Sequence, residues 1–149
     1  MHILFVCTGN ICRSPMAEGI ARELFPDRAT YSSAGTLAVR GAPPTAAAIA
    51  ATAEIGIDIS ELRAGALRKS SNPLPDHIYV MTADHRDRVL ATFPGLAERV
   101  ELLDPGGEVA DPYGHDIEVY RATRDQIVSA IKARARSWTA EPEGNTAGR

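Results

Sequence analysis

The chain has 149 residues and a mass of 15.9 kDa, with 44% apolar and 23% charged residues, which suits one compact domain with its own core and excludes a two-domain enzyme. Lys and Arg number 16 against 19 Asp and Glu, and a net charge of −3 argues against holding nucleic acid by bulk electrostatics while leaving room for a local anion site. Two cysteines, Cys7 and Cys12, are too few and too close together to staple a secreted scaffold, so they read as chemistry in a reducing compartment. The apolar run at residues 3–6 is far shorter than a signal-peptide core, and no stretch approaches a membrane span. The expectation is a cytoplasmic protein with no nucleic-acid or membrane partner.

Taken in chain order, residues 3–6 form a continuous apolar run, the mark of a strand buried on both faces. A helical pattern begins soon after, with Ser14 placed as its N-cap and Pro15 as its first helical residue, and runs to about Phe25. Residues 30–33 are β-prone and closed by Gly35. The alanine-rich stretch 45–55 predicts a helix stopped by Gly56, and residues 57–69 are expected to hold another short helix. A turn-rich stretch at 70–75 leads to a third strand at 77–81, a helix at 84–93 stopped by Pro94-Gly95, and a fourth strand at 100–103. A long polar loop spans 104–116, of a length that in compact domains is often functional. The last helix runs from 117 to about Trp138, with Tyr120, Ile127, Ile131 and Trp138 on one face and Lys132, Arg134 and Arg136 as a solvated basic end that suits the helix dipole. The domain is expected to occupy 1–138, with 139–149 a disordered polar tail.

Strands alternating with helices imply a single-domain α/β fold, a four-stranded parallel sheet with helices on both faces. Loops that follow strands then open on one edge of the sheet, so the segment after Cys7 and the loop 104–116 should converge.

The segment Cys7-Thr8-Gly9-Asn10-Ile11-Cys12-Arg13-Ser14 joins a strand to a helix N-terminus, where backbone N–H groups can surround one phosphate or similar oxyanion beside the positive end of the dipole. Gly9 and Asn10 are residue types that tolerate the left-handed backbone such a loop needs. Arg13 offers a planar guanidinium that can hold two phosphoryl oxygens. Cys7, at the start of the ring, is expected to ionise beside those donors and act as a nucleophile, with Ser14 hydrogen-bonded to the thiolate. Attack on phosphorus also needs a proton donor for the departing oxygen and a base for the water that follows, both within reach of a carboxyl group. Asp104 and Asp111 each precede a proline in the late loop; Tyr113, an aromatic that can wall a substrate ring, favours Asp111.

Cys7 through Pro15, the segment Ser32-Ser33-Ala34-Gly35-Thr36 and Asp111-Pro112-Tyr113 together resemble the low-molecular-weight protein tyrosine phosphatase family, over about residues 2 to 137. The resemblance implies Cys7 as nucleophile, Arg13 as phosphate and transition-state binder, and Asp111 as general acid and base, with no cofactor and no metal. It implies that Asn10, Ser14 and Ser33 hold the loop in shape, and that Cys12 traps an oxidised Cys7 as a reversible disulfide. The partner it implies is a phosphorylated protein.

Departures bear on the substrate. Residues 36–41 carry no aromatic wall, and Tyr113 is followed by Gly114 where mammalian members have a second tyrosine; residues 109–125 are similar instead to bacterial members, including protein-arginine phosphatases. Those have Thr at the position of Ile11, whose apolar face suits an aromatic ring, so phosphotyrosine is expected over phosphoarginine. Arsenate reduction of the thioredoxin-coupled type needs cysteines beyond Cys12, and a non-catalytic phosphate-binding module would have no use for both Cys7 and Asp111. His2, His77, His85 and His115 lack metal-ligand spacing and are expected at the surface or in turns, with His115 near the proposed acid.

Overall fold

The computed structural model describes residues 1–68 and 74–138. Four strands, β1 (His2–Cys7), β2 (Thr30–Gly35), β3 (His77–Val80) and β4 (Val100–Leu102), form one parallel sheet in the order β2-β1-β3-β4. Between and after them lie α1 (Arg13–Leu24), α2 (Ala46–Ala53), α3 (Ala83–Thr92) and α4 (Ile117–Ala135), with a 3-10 turn at Pro94–Arg99. The chain steps from β1 out to β2 and then back across β1 to β3, so the strand order reverses beside β1. A crevice at such a reversal, outside the carboxyl ends of the strands, is where open α/β sheets bind ligands.

The strand at the centre explains the two-sided cover. Ile3, Phe5 and Cys7 of β1 point to a core shared with α1, α2 and α4, while Leu4 and Val6 point to a second core with Val89 of α3 and with Phe93. Three helices therefore cover one face and α3 the other. Trp138 lies beyond the end of α4 but is fully buried, with its Nε1–H donating to Tyr79 Oη at 2.8 Å and its ring meeting Phe25 edge-on.

Several sequence expectations need correction. Residues 57–68 contain no helix: Ile57 and Ile59, two positions apart, both bury against α1 at Gly19, where a side chain would collide with Ile59, and Ala66 bridges to Gly35. That spacing belongs to extended chain. Helix α1 begins at Arg13, one residue before Ser14, and its N-cap position is Cys12 with no side-chain cap. Ser14 and Pro15 are therefore inside the helix, and the Ser14 hydroxyl serves the preceding loop instead. Helix α4 stops at Ala135, and Arg134 is no solvated dipole partner: it donates to the carbonyls of Leu102 and Leu103, pairs with Glu101 at 3.1 Å and lies over the Tyr79 ring. His85 is buried at 3% exposure. The expected disorder of 139–149, and most of the turn-rich stretch at 70–75, lie outside the described residues. No helix among the described residues is long and apolar enough to cross a membrane.

Candidate active site

The loop from Cys7 to Cys12 is shaped by where its carbonyls go. Those of Cys7, Thr8 and Gly9 accept the N–H groups of Thr36, Leu37 and Val39 at 2.9, 2.9 and 3.0 Å, the Ile11 carbonyl accepts Thr45 N–H at 2.9 Å, and the Cys12 carbonyl accepts Met16 N–H at 3.1 Å. With the oxygens turned outward, the N–H groups of Thr8 to Cys12 meet no protein acceptor among the described residues. Such a ring of unpartnered donors at a helix N-terminus is an anion cradle. Asn10 alone in the loop has a left-handed backbone, with φ 59°; Gly9 does not, against expectation. The loop also needs Gly35, since a Cβ there would sit 2.5 Å from the Thr8 carbonyl oxygen and 3.1 Å from Asn10 Cβ.

Asn10 is locked on every side. Its amide donates to Ser14 Oγ at 2.7 Å and to Ser33 Oγ at 3.0 Å, and its oxygen accepts Gly65 N–H at 2.9 Å. Ser33 in turn donates to Glu18 at 2.6 Å, whose other oxygen pairs with Arg22 at 2.7 Å. Burial pushes the Glu18 carboxyl up, opposed by the Ser33 hydroxyl and Arg22. Ser14 Oγ lies 2.9 Å from Cys7 Sγ, at the end of this chain of hydrogen bonds.

Arg13 is 4% exposed and donates from Nη1 to the Val109 carbonyl at 2.9 Å, which ties the late loop to the cradle. Its Nη2 stands 3.7 Å from Asp111 Oδ2, while its Nε is buried with no partner among the described residues. A buried N–H left unpaired is unfavourable unless a ligand oxygen completes it. Asp111 is half-exposed and accepts Tyr113 N–H at 3.1 Å, which fixes the turn. Asp104 is engaged elsewhere, accepting Gly106 N–H and the Gln126 amide, both at 2.8 Å.

Cys7, Thr8, Gly9, Ile11, Cys12 and Arg13 line one cleft of about 390 Å³, closed by Asp111 and Tyr113 from the late loop. The two strand-end loops thus converge as expected. Leu37 and Val39, from the segment 36–41 that carries no aromatic, form an aliphatic wall in its place, and Tyr113 is largely exposed at the mouth. His115 is tied to the late-loop turn by its N–H to the Pro112 carbonyl at 2.9 Å, with no side-chain hydrogen bond or ion pair to Asp111 among the described residues; the histidine that approaches the phosphate loop is His85, through Thr8. Cys12 Sγ lies 3.3 Å from the Tyr120 hydroxyl, and burial raises its thiol. Among the described residues, no group of three or more His, Cys, Asp or Glu is placed to hold a metal ion.

The family model for low molecular weight phosphotyrosine protein phosphatases matches residues 2–142. The chain belongs to that family. It is 36% identical over 135 residues to the protein-arginine-phosphatase of Geobacillus stearothermophilus, covering 87% of this phosphatase and 90% of that one. It is also 36% identical over 138 residues to the low molecular weight protein-tyrosine-phosphatase PtpB of Staphylococcus aureus, with 88% and 94% covered. Among solved structures, the low molecular weight protein tyrosine phosphatase of T. tengcongensis superposes with a TM-score of 0.84 at 35% identity, over 91% of this phosphatase and 98% of that chain. The chain is accordingly a hydrolase of the low molecular weight phosphatase type.

Proposed function

We propose that this phosphatase hydrolyses phosphotyrosine in proteins through a cysteinyl-phosphate on Cys7. The observation that carries the reading is the meeting of thiol, guanidinium and carboxylate at the floor of a cleft walled by Ile11, Leu37, Val39 and Tyr113. The phosphoryl group sits in the ring of N–H groups, with its oxygens taking Arg13 Nε and Nη2. The Cys7 sulfur attacks phosphorus as the P–O bond to the tyrosine breaks, and Asp111 gives its proton to the departing oxygen. Asp111, now a carboxylate, takes a proton from the water that attacks phosphorus, and the P–S bond breaks to release phosphate and restore the thiolate, stabilised by the Ser14 hydroxyl. Asn10, Ser14 and Ser33 hold the loop. Cys12 is the resolving thiol: once peroxide has oxidised Cys7 to a sulfenic acid, Cys12 attacks its sulfur, releasing water and forming a disulfide. The domain occupies 1–138, and the setting proposed is the cytoplasm.

The kinship to a protein-arginine-phosphatase favours phosphoarginine as the second reading. Against it stands the wall, where three of the four side chains are aliphatic and offer a guanidinium no polar group. The test is hydrolysis of matched phosphotyrosyl and phosphoarginyl peptides by the wild type and by Ile11→Thr. The wild type should prefer phosphotyrosine, and Ile11→Thr should narrow that preference; a wild type active only on phosphoarginine overturns it. Trapping on lysate with Cys7→Ser or Asp111→Ala would then identify the phosphorylated proteins retained.

A further inference from the structure

In the reaction above, the side chain of Thr8 has no part. Its Oγ1 lies 2.8 Å from Nε2 of His85, on the first turn of α3 behind the neighbouring strand. The other ring nitrogen, Nδ1, lies 3.1 Å from Thr82 Oγ1, and that same oxygen caps α3 by accepting His85 N–H at 3.3 Å. One buried imidazole therefore spans from the capped end of α3 to the residue that follows the nucleophile. A neutral ring has one donor and one acceptor, which two hydroxyl neighbours satisfy in full. Burial, and then the Arg13 guanidinium, hold the ring down to about 4, against the opposing pull of Asp84, Asp111 and Glu108.

We propose that His85 is a positioning residue for the phosphate loop, gripping the Thr8 hydroxyl so that the first peptide after Cys7 keeps its N–H turned toward the anion. That peptide is clamped from two sides: its carbonyl, that of Cys7, by Thr36 N–H at 2.9 Å from the β2 side, and the Thr8 hydroxyl by His85 from the α3 side. Releasing either clamp lets the peptide rotate, and the cradle loses a donor. This inference rests on the reading of the loop as the phosphate site.

The test compares Thr8→Val, His85→Phe and the double variant for kcat/KM and for the inhibition constant of inorganic phosphate. Each single change should weaken phosphate inhibition and lower kcat/KM by roughly three- to tenfold, the worth of one hydrogen bond. The double variant should be no worse than the poorer single, because both remove the same link. Additive losses, or a His85→Phe protein that melts earlier yet keeps wild-type phosphate inhibition and kcat/KM, overturn the proposal. Should His85→Phe fail to fold, unchanged phosphate inhibition in Thr8→Val overturns it alone. A wild type that neither binds phosphate nor hydrolyses any phosphopeptide would instead sink the phosphate-site reading, and this proposal with it.

Discussion

The Asn10 amide donates to the Ser14 hydroxyl oxygen at 2.7 Å, which leaves the Ser14 proton available to the Cys7 sulfur 2.9 Å away once that sulfur is a thiolate and can only accept. Asn10 cannot turn its amide over, because its oxygen is held by Gly65 N–H and its second amide proton by Ser33. The Asn10 donor that meets the Ser14 oxygen is therefore aimed by residues well outside the loop.

Removing that proton should slow both chemical steps. A hydrogen bond to a charged group is worth about 1.5–3 kcal/mol, so Ser14→Ala should lower kcat by roughly ten- to a hundredfold with a smaller change in KM. Stopped-flow measurement of phosphoenzyme formation checks it, together with the alkylation rate of Cys7 by iodoacetate. A kcat within twofold of wild type would refute the role.

The two late-loop aspartates should separate cleanly. Asp111→Asn is expected to lower kcat by about 10² to 10⁴, the range for loss of a general acid. Asp104→Asn should leave kcat near wild type and cost on the order of 1 kcal/mol of stability through its bonds to Gly106 and Gln126. Steady-state kinetics beside urea denaturation distinguish them, and the opposite pattern would transfer the acid role to Asp104.

Gly35 predicts a loop defect from a residue outside the loop. The Cβ of Gly35→Ala would press on the Thr8 carbonyl and on Asn10, so the cradle must shift. The expected loss is about 1–3 kcal/mol of stability, with weaker phosphate inhibition. Differential scanning calorimetry with and without phosphate reads both effects.

His85 gives a pH signature. The folded chain holds the ring at about 4, against an ordinary 6.5, through burial and Arg13. Between those values the unfolded chain binds more protons, so this group's contribution is full above about 6.5 and is lost as pH falls toward about 4, by on the order of 3 kcal/mol. Urea midpoints across that interval should fall less in His85→Phe than in wild type; parallel curves would refute it.

Much of the site was legible because it is local. Cys7, Arg13 and the loop between them are contiguous, and a strand feeding a helix leaves little choice of geometry. The pairing with Asp111 across about a hundred residues followed from strand-end loops sharing one edge of the sheet. Only the capping role of Ser14 was misread, because Ser before Pro is a capping pattern; its hydroxyl meets Cys7, as expected, and Asn10. Leu37 and Val39 carry no sequence signal, being lone aliphatic residues in a loop, and His85 looks like any polar residue near a helix start until β3 sets it behind Thr8. The segment 57–68 fooled helix propensity because its burial is dictated by Gly19 of α1 and by the bridge to Gly35.

Leu37 and Val39 serve the site twice, by main chain and by side chain. Their N–H groups hold the Thr8 and Gly9 carbonyls, while the residues themselves line the cleft. Selectivity can therefore drift through side-chain replacement at 37 and 39 while the catalytic floor stays intact, since every amino acid but one brings the same N–H. Proline is that exception, and at either position it would abolish the cradle along with the wall.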